Sequence, residues 1–244
     1  MAKYYPTEDI FLNTSRGLIQ GGRVRNIFGK AFGTTSIVTS EYRVPWEVAA
    51  DYVFPNTSLQ MSVVSTSASD TAVQILILGL NANYQEISAT ATLNGTTPVV
   101  VTSTNFFRIN DVLVTSGNAV GDITVYNNST TYSKILAGTG RSQAAVFTVP
   151  ANHCYYLYRI DAFATDSNGG KAAFFRNYVG NGNTGVIFRV AETQFFNNMN
   201  IFRRFPFKYD QKSDIKLQLK SSSGSIDGSI FAEGMLLREP ISTT

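Results

Sequence analysis

The sequence holds one cysteine (Cys154), one histidine (His153) and one tryptophan (Trp46) among 244 residues. A single cysteine excludes a disulfide framework within the chain. One histidine and one cysteine cannot furnish a zinc site of the usual kind. The two are adjacent in "VPANHCYYLY", and neighbours in a strand face opposite sides, so they do not read as a nucleophile–base pair. Charge is scarce as well. Charged residues make up 15% of the chain, against about 25% in ordinary soluble domains. The net charge of +3 comes without a concentrated basic stripe, so nucleic acid is not an expected partner. No apolar run approaches the roughly 18 residues of a membrane span. "MAKYYPTEDIF" has no apolar core of signal-peptide length. The expectation is a chain made in the cytoplasm without a membrane partner.

Other chemical signatures are missing too. "GKAFGTTS" and "GLIQGG" lack both the spacing and the preceding strand of a phosphate loop. Asp210 and Asp214 alternate with Lys208 and Lys212, which suits a mixed-charge turn better than a calcium loop. Asp161, Glu192 and Glu233 could supply a glycosidase acid pair only if the fold brought two of them together. No catalytic, metal or cofactor residue is therefore assigned, and no cofactor is expected.

Ser, Thr, Asn, Gly and aromatics fill the space that charge leaves. The fold expectation is all-β, as one or two β-sandwiches or an interleaved jelly roll. "AVQILILGL" reads as a buried strand. In "EISATATL", Ile87, Ala89, Ala91 and Leu93 alternate with Ser88, Thr90 and Thr92, the mark of a strand with one wet face. Asn94-Gly95 is a turn signal. Further strands are predicted at 106–114, 121–126 and 132–136. After "AGTGRSQ" the pattern restarts, with about seven strands in about 100 residues, a sandwich-like density. In "DIKLQLK", Ile215, Leu217 and Leu219 point one way. The chain divides into residues 1–35, 36–137, 138–239 and a tail at 240–244.

Residues 1–35 carry five glycines and only spaced apolar residues. They read as an extended docking arm, with Arg16, Arg23, Arg25, Ile27 and Phe28 as contacts, or as a disordered tail. Adjacent aromatics place one ring on each face of a sheet. Tyr156, Phe175, Phe196 and Phe207 are the candidates for subunit contacts.

The phrases "GLNANYQEISATATLNGTTPV", "FFRINDVLVTS", "TVPANHCYYLYRID" and "RRFPFKYDQKSDIKLQLKSSS" resemble a family of virion structural proteins of tailed bacteriophages, particularly marine ones. The resemblance runs from about Pro45 to Leu237, and "GRVRNIFGK" is similar to the short arm before such domains. It implies a non-catalytic, oligomeric particle component located on the virion. A homotrimeric capsid decoration or cement protein, bound to the major capsid protein or other virion proteins, is the leading expectation. A tail or fibre component that binds a host glycan is the alternative, and a glycan depolymerase is a third.

Overall fold

The computed structural model describes residues 10–39, 41–166, 171–181 and 186–238. Among these residues a short helix, α1 (Ile10–Ser15), precedes sixteen strands. They are β1 (Gly22–Val24), β2 (Ile27–Ala31), β3 (Ser62–Ser65), β4 (Gln74–Leu80), β5 (Glu86–Thr92), β6 (Val99–Val100), β7 (Arg108–Ser116) and β8 (Ile123–Asn127). There follow β9 (Thr130–Ile135), β10 (Val146–Thr148), β11 (His153–Thr165), β12 (Ala172–Asn181), β13 (Ile187–Phe196), β14 (Asn198–Tyr209), β15 (Ser213–Ser221) and β16 (Asp227–Arg238). All the pairings are antiparallel, so the chain is all-β.

The strands form four sheets around two cores. The sheet β6-β3-β8-β9 and the sheet β5-β4-β7 enclose the first core, built from Met61, Ile75, Ile77, Phe106, Val112 and Ile123 among others. The sheet β1/β2-β16-β11-β14 and the sheet β10-β15-β12-β13 enclose the second. That core takes residues from both ends of the chain: Ile27, Ile37, Trp46 and Tyr52 pack with Tyr155, Phe175, Leu217 and Ile230. The expected division therefore shifts. Residues 27–52 belong to the C-terminal core, and the first unit is inserted between them and β10.

The arm residues are strands of the main sheet. β1 and β2 lie end to end along β16, and Ile27 faces Ala232 with 2% of its surface exposed. A segment with spaced apolar residues does lie across another surface, and that surface is the chain's own last strand.

Between β1 and β2 the ladder breaks at Arg25-Asn26. The cause sits on the inner face. The Tyr155 ring lies against Gly234, where any Cβ would collide with it. The Tyr155 hydroxyl donates to the Arg25 carbonyl at 2.8 Å, pairing a group that the break leaves free. Opposite Gly234 the register of β11 also shifts between Leu157 and Arg159. On β14 the same shift leaves Arg203, Arg204, Phe205 and Pro206 facing Tyr158 alone, a special bulge of four residues against one. Pro206 has no N–H to lose there.

The alternating strands behave as their pattern requires. Ala89, Ala91 and Leu93 are buried while Ser88, Thr90 and Thr92 are exposed. Ile215, Leu217 and Leu219 are all buried. In the loop before β5 the left-handed residue is Tyr84 (φ 59°). Asn81 contributes by accepting from the N–H groups of Asn83 and Gln85.

Candidate functional site

The register of the main sheet defines its outer face. One row across it holds Phe28, Phe231, Asp161 and Asn200. A second holds Glu233, Arg159 and Phe202. A third holds Lys30, Ser229, Phe163 and Asn198. Phe28 and Phe231 meet ring to ring at 6.5 Å. Arg159 binds Asp161 at 2.9 Å and Glu233 at 3.4 Å, so the two carboxylates share one guanidinium at the middle of the face. Glu192 lies elsewhere, bound to Arg189 and to the Tyr42 hydroxyl.

The β14 bulge stands at the margin of this face. Phe202 is 69% exposed and Phe205 76% exposed. The Arg203 guanidinium stacks 3.9 Å from the Phe207 ring, and its Nε donates to the Phe205 carbonyl at 3.1 Å. Arg204 lies 5.9 Å from Phe205. Among the described residues neither arginine has an ion-pair partner. Next to the bulge, Lys208 pairs with Asp210 at 3.5 Å.

The expected contact residues do not stay together. Phe28 and the half-buried Tyr156 sit on the outer face, and Phe196 is exposed at the end of β13. Ile27 and Phe175 are in the core, Phe175 with no exposed surface, so neither can meet another subunit. Phe207 is half-buried and packs on the core. An adjacent aromatic pair fixes that one ring goes in, and the sheet decides which: Phe175 goes in and Phe174 stays partly out. Arg16 is exposed after α1. Arg23 is ion-paired to Glu86. Arg25 is engaged inside the chain.

Arg25 belongs to a polar seam that joins the two units, and β7 supplies most of it. Asp111 receives Arg25 at 3.0 Å and Arg141 at 2.5 Å. Arg25 also donates to the Asn110 carbonyl at 2.6 Å and lies 5.1 Å from the Phe147 ring. The Asn110 side chain both donates to and accepts from the Thr148 backbone at 2.9 Å, completing the free edge of β10 as a strand would. Arg108 holds Asp214 with two parallel bonds of 2.8 Å and stacks 3.9 Å from Phe107. Its Nη1 donates to the Pro55 carbonyl at 2.5 Å. The signal was present in "FFRINDVLV": three polar residues inside an apolar strand must find partners when buried.

His153 and Cys154 diverge as neighbouring strand residues do. The His153 ring pairs with the Ala151 carbonyl at 2.9 Å, and the Cys154 thiol faces Asp210 at 3.8 Å. Among the described residues no cluster of His, Cys, Asp or Glu could hold a metal ion, and no helix is long and apolar enough to cross a membrane.

No family model matches the chain, and no curated protein matches it. Among solved structures it is similar to the infectious bursal disease virus VP2 subviral particle, at 11% identity and a TM-score of 0.22, over 91% of this chain and 77% of that one. The structure of the infectious bursal disease virus Gx strain gives 10% identity and a TM-score of 0.24 over the same shares. Superpositions this loose do not establish a common fold.

Proposed function

We propose that the chain is a non-enzymatic structural component of a virion, of the tailed-bacteriophage kind its sequence resembles, acting as a capsid decoration or cement protein. The bulge Arg203–Pro206 with the adjoining Phe202 carries this reading. It presents two solvent-exposed rings and two guanidiniums with no acidic partner among the described residues. That chemistry fits a neighbouring particle protein with an acidic surface and an apolar groove, such as a major capsid protein. The chemistry first expected of an N-terminal arm is thereby assigned to β14. Two sandwich-like units, one inserted in the other, form the body, and the particle-bound assembly is a trimer.

The test is co-sedimentation of purified chain with parent particles stripped of it. Wild-type protein should bind, and should bind less as salt rises, because the cations are exposed and screened. Phe202→Ser combined with Phe205→Ser should abolish binding and leave the melting temperature unchanged. Full binding by that variant would refute the bulge as the contact. Absence of the protein from purified virions would refute the virion role itself. Light scattering of the free chain reports whether the trimer forms before attachment.

A further inference from the structure

In the sheet β10-β15-β12-β13, strand β12 turns Phe175, Asn177 and Val179 into the core, each fully buried. Phe174, Arg176 and Tyr178 therefore face outward. The register sets them directly beside Lys220, Gln218 and Lys216 of β15. Tyr42 lies on the same face. Its carbonyl accepts from Gln218 Nε2 at 3.4 Å, and its hydroxyl donates to Glu192 of β13 at 2.8 Å. Cations and tyrosine rings from three distant parts of the sequence thus meet on one patch, across the sandwich from the outer face of the main sheet.

Some of the charges here are paired. Arg189 binds Glu192 at 3.2 Å, and Lys216 binds Asp51 at 3.5 Å. Arg176 and Lys220 differ: among the described residues neither has a carboxylate within ion-pair distance. Arg176 is nonetheless held in place. Its Nε and Nη2 both donate to Gln218 Oε1, at 3.1 and 2.9 Å, and Gln218 is only 4% exposed. The guanidinium stacks 4.0 Å from the Tyr42 ring and 5.4 Å from the Tyr178 ring. The Lys220 ammonium lies 5.8 Å from the same Tyr42 ring. Among the described residues nothing accepts from Arg176 Nη1, and that nitrogen is open to solvent. With Gln218 on the Nε side, the Nη1/Nη2 end is left free for a two-bond fork to an oxyanion.

The partner of this patch should carry anionic groups on either side of an apolar surface, because the two surplus cations flank one ring. Tyr42 and Tyr178 are half-buried. They can support the flat C–H side of a sugar but cannot enter between two bases, as the stacking platforms of single-strand binders do. Two surplus charges also suit a sparsely charged polymer better than one with a phosphate at every residue. We propose that this face binds an acidic polysaccharide. One sugar carboxylate takes the open fork of Arg176, a neighbouring one meets Lys220, and a sugar ring lies against Tyr178. The patch is separate from the β14 bulge, so the proposal does not depend on where, or whether, the chain sits on a particle.

The test is isothermal titration calorimetry of the full chain with polygalacturonate, with dextran as a neutral glycan and with oligothymidylate as a nucleic acid. Polygalacturonate should bind saturably, and more weakly as salt rises. Dextran should bind at least about tenfold more weakly, lacking the charged hydrogen bonds. Arg176→Lys keeps the charge but loses the fork, and should cost about tenfold in polygalacturonate affinity. Lys220→Gln removes no hydrogen bond or ion pair within the chain, so it should melt as the wild type does and still bind severalfold more weakly. No heat with polygalacturonate, equal affinity for dextran, tighter binding of oligothymidylate, or wild-type affinity in either variant would each overturn the proposal.

Discussion

Glu47 is almost fully buried, one carboxylate oxygen accepting from the Gln143 N–H at 3.4 Å and the other unpartnered. Burial pushes its pKa up from 4.5 to about 7, against smaller opposing pulls from Gln143 and nearby lysines. The folded state therefore holds this proton more tightly than the unfolded chain does. Stability from this group is fully present below about pH 4.5, declines as pH rises, and levels off above about pH 7. The unfolding constant should rise by at most about tenfold per pH unit in that window, and Glu47→Gln should flatten the slope in urea titrations at several pH values. Asp70 acts oppositely and at lower pH. Hydrogen bonds from Ser65, Val120 and Gly121 outweigh its burial and hold its pKa below the usual carboxylate range. At Gly234 the constraint is steric. Gly234→Ala would drive a methyl into Tyr155 and should cost about 1–3 kcal/mol by urea denaturation.

Elements were more legible than their partners. Every strand predicted after residue 70 exists, because the alternation in "EISATATL" and "DIKLQLK" is a direct image of a pleated strand with one buried side. β1 and β2 were not legible. Their glycines and isolated apolar residues give no period, and what makes them strands is the free edge of β16, some two hundred residues later. The bulge on β14 was hidden for a related reason, since it arises from a register shift that a neighbouring strand imposes. Removal of residues 1–35 is thus expected to do more than detach an arm. It strips the eight residues of β1 and β2 from β16 and uncovers Ile230 and Ala232, and circular dichroism should show lost cooperative melting. Of the candidate site, Phe28 and the kind of chemistry are legible in the sequence, while "RIND" does not by itself say that Arg108, Asn110 and Asp111 join two units.

At the scale of the molecule, the seam decides whether the two units behave as one. Their shared contacts on β7 are ionic and hydrogen-bonded, and Asp111 and Arg108 are both deeply buried. Breaking such a pair from one side strands a charge, at a cost of about 3–5 kcal/mol. Calorimetry of the intact chain should give a single transition. Asp111→Asn with Asp214→Asn should lower it and resolve it into two, one for each core. The order of the strands also has a temporal meaning. β16 is an interior strand of the largest sheet, paired on one side with β1 and β2 and on the other with β11, yet it comes after all of them in the chain. During synthesis the inserted unit can close while it is still tethered to the ribosome. Strands β1 and β2, made first, must wait for the final strand before they have anything to pair with.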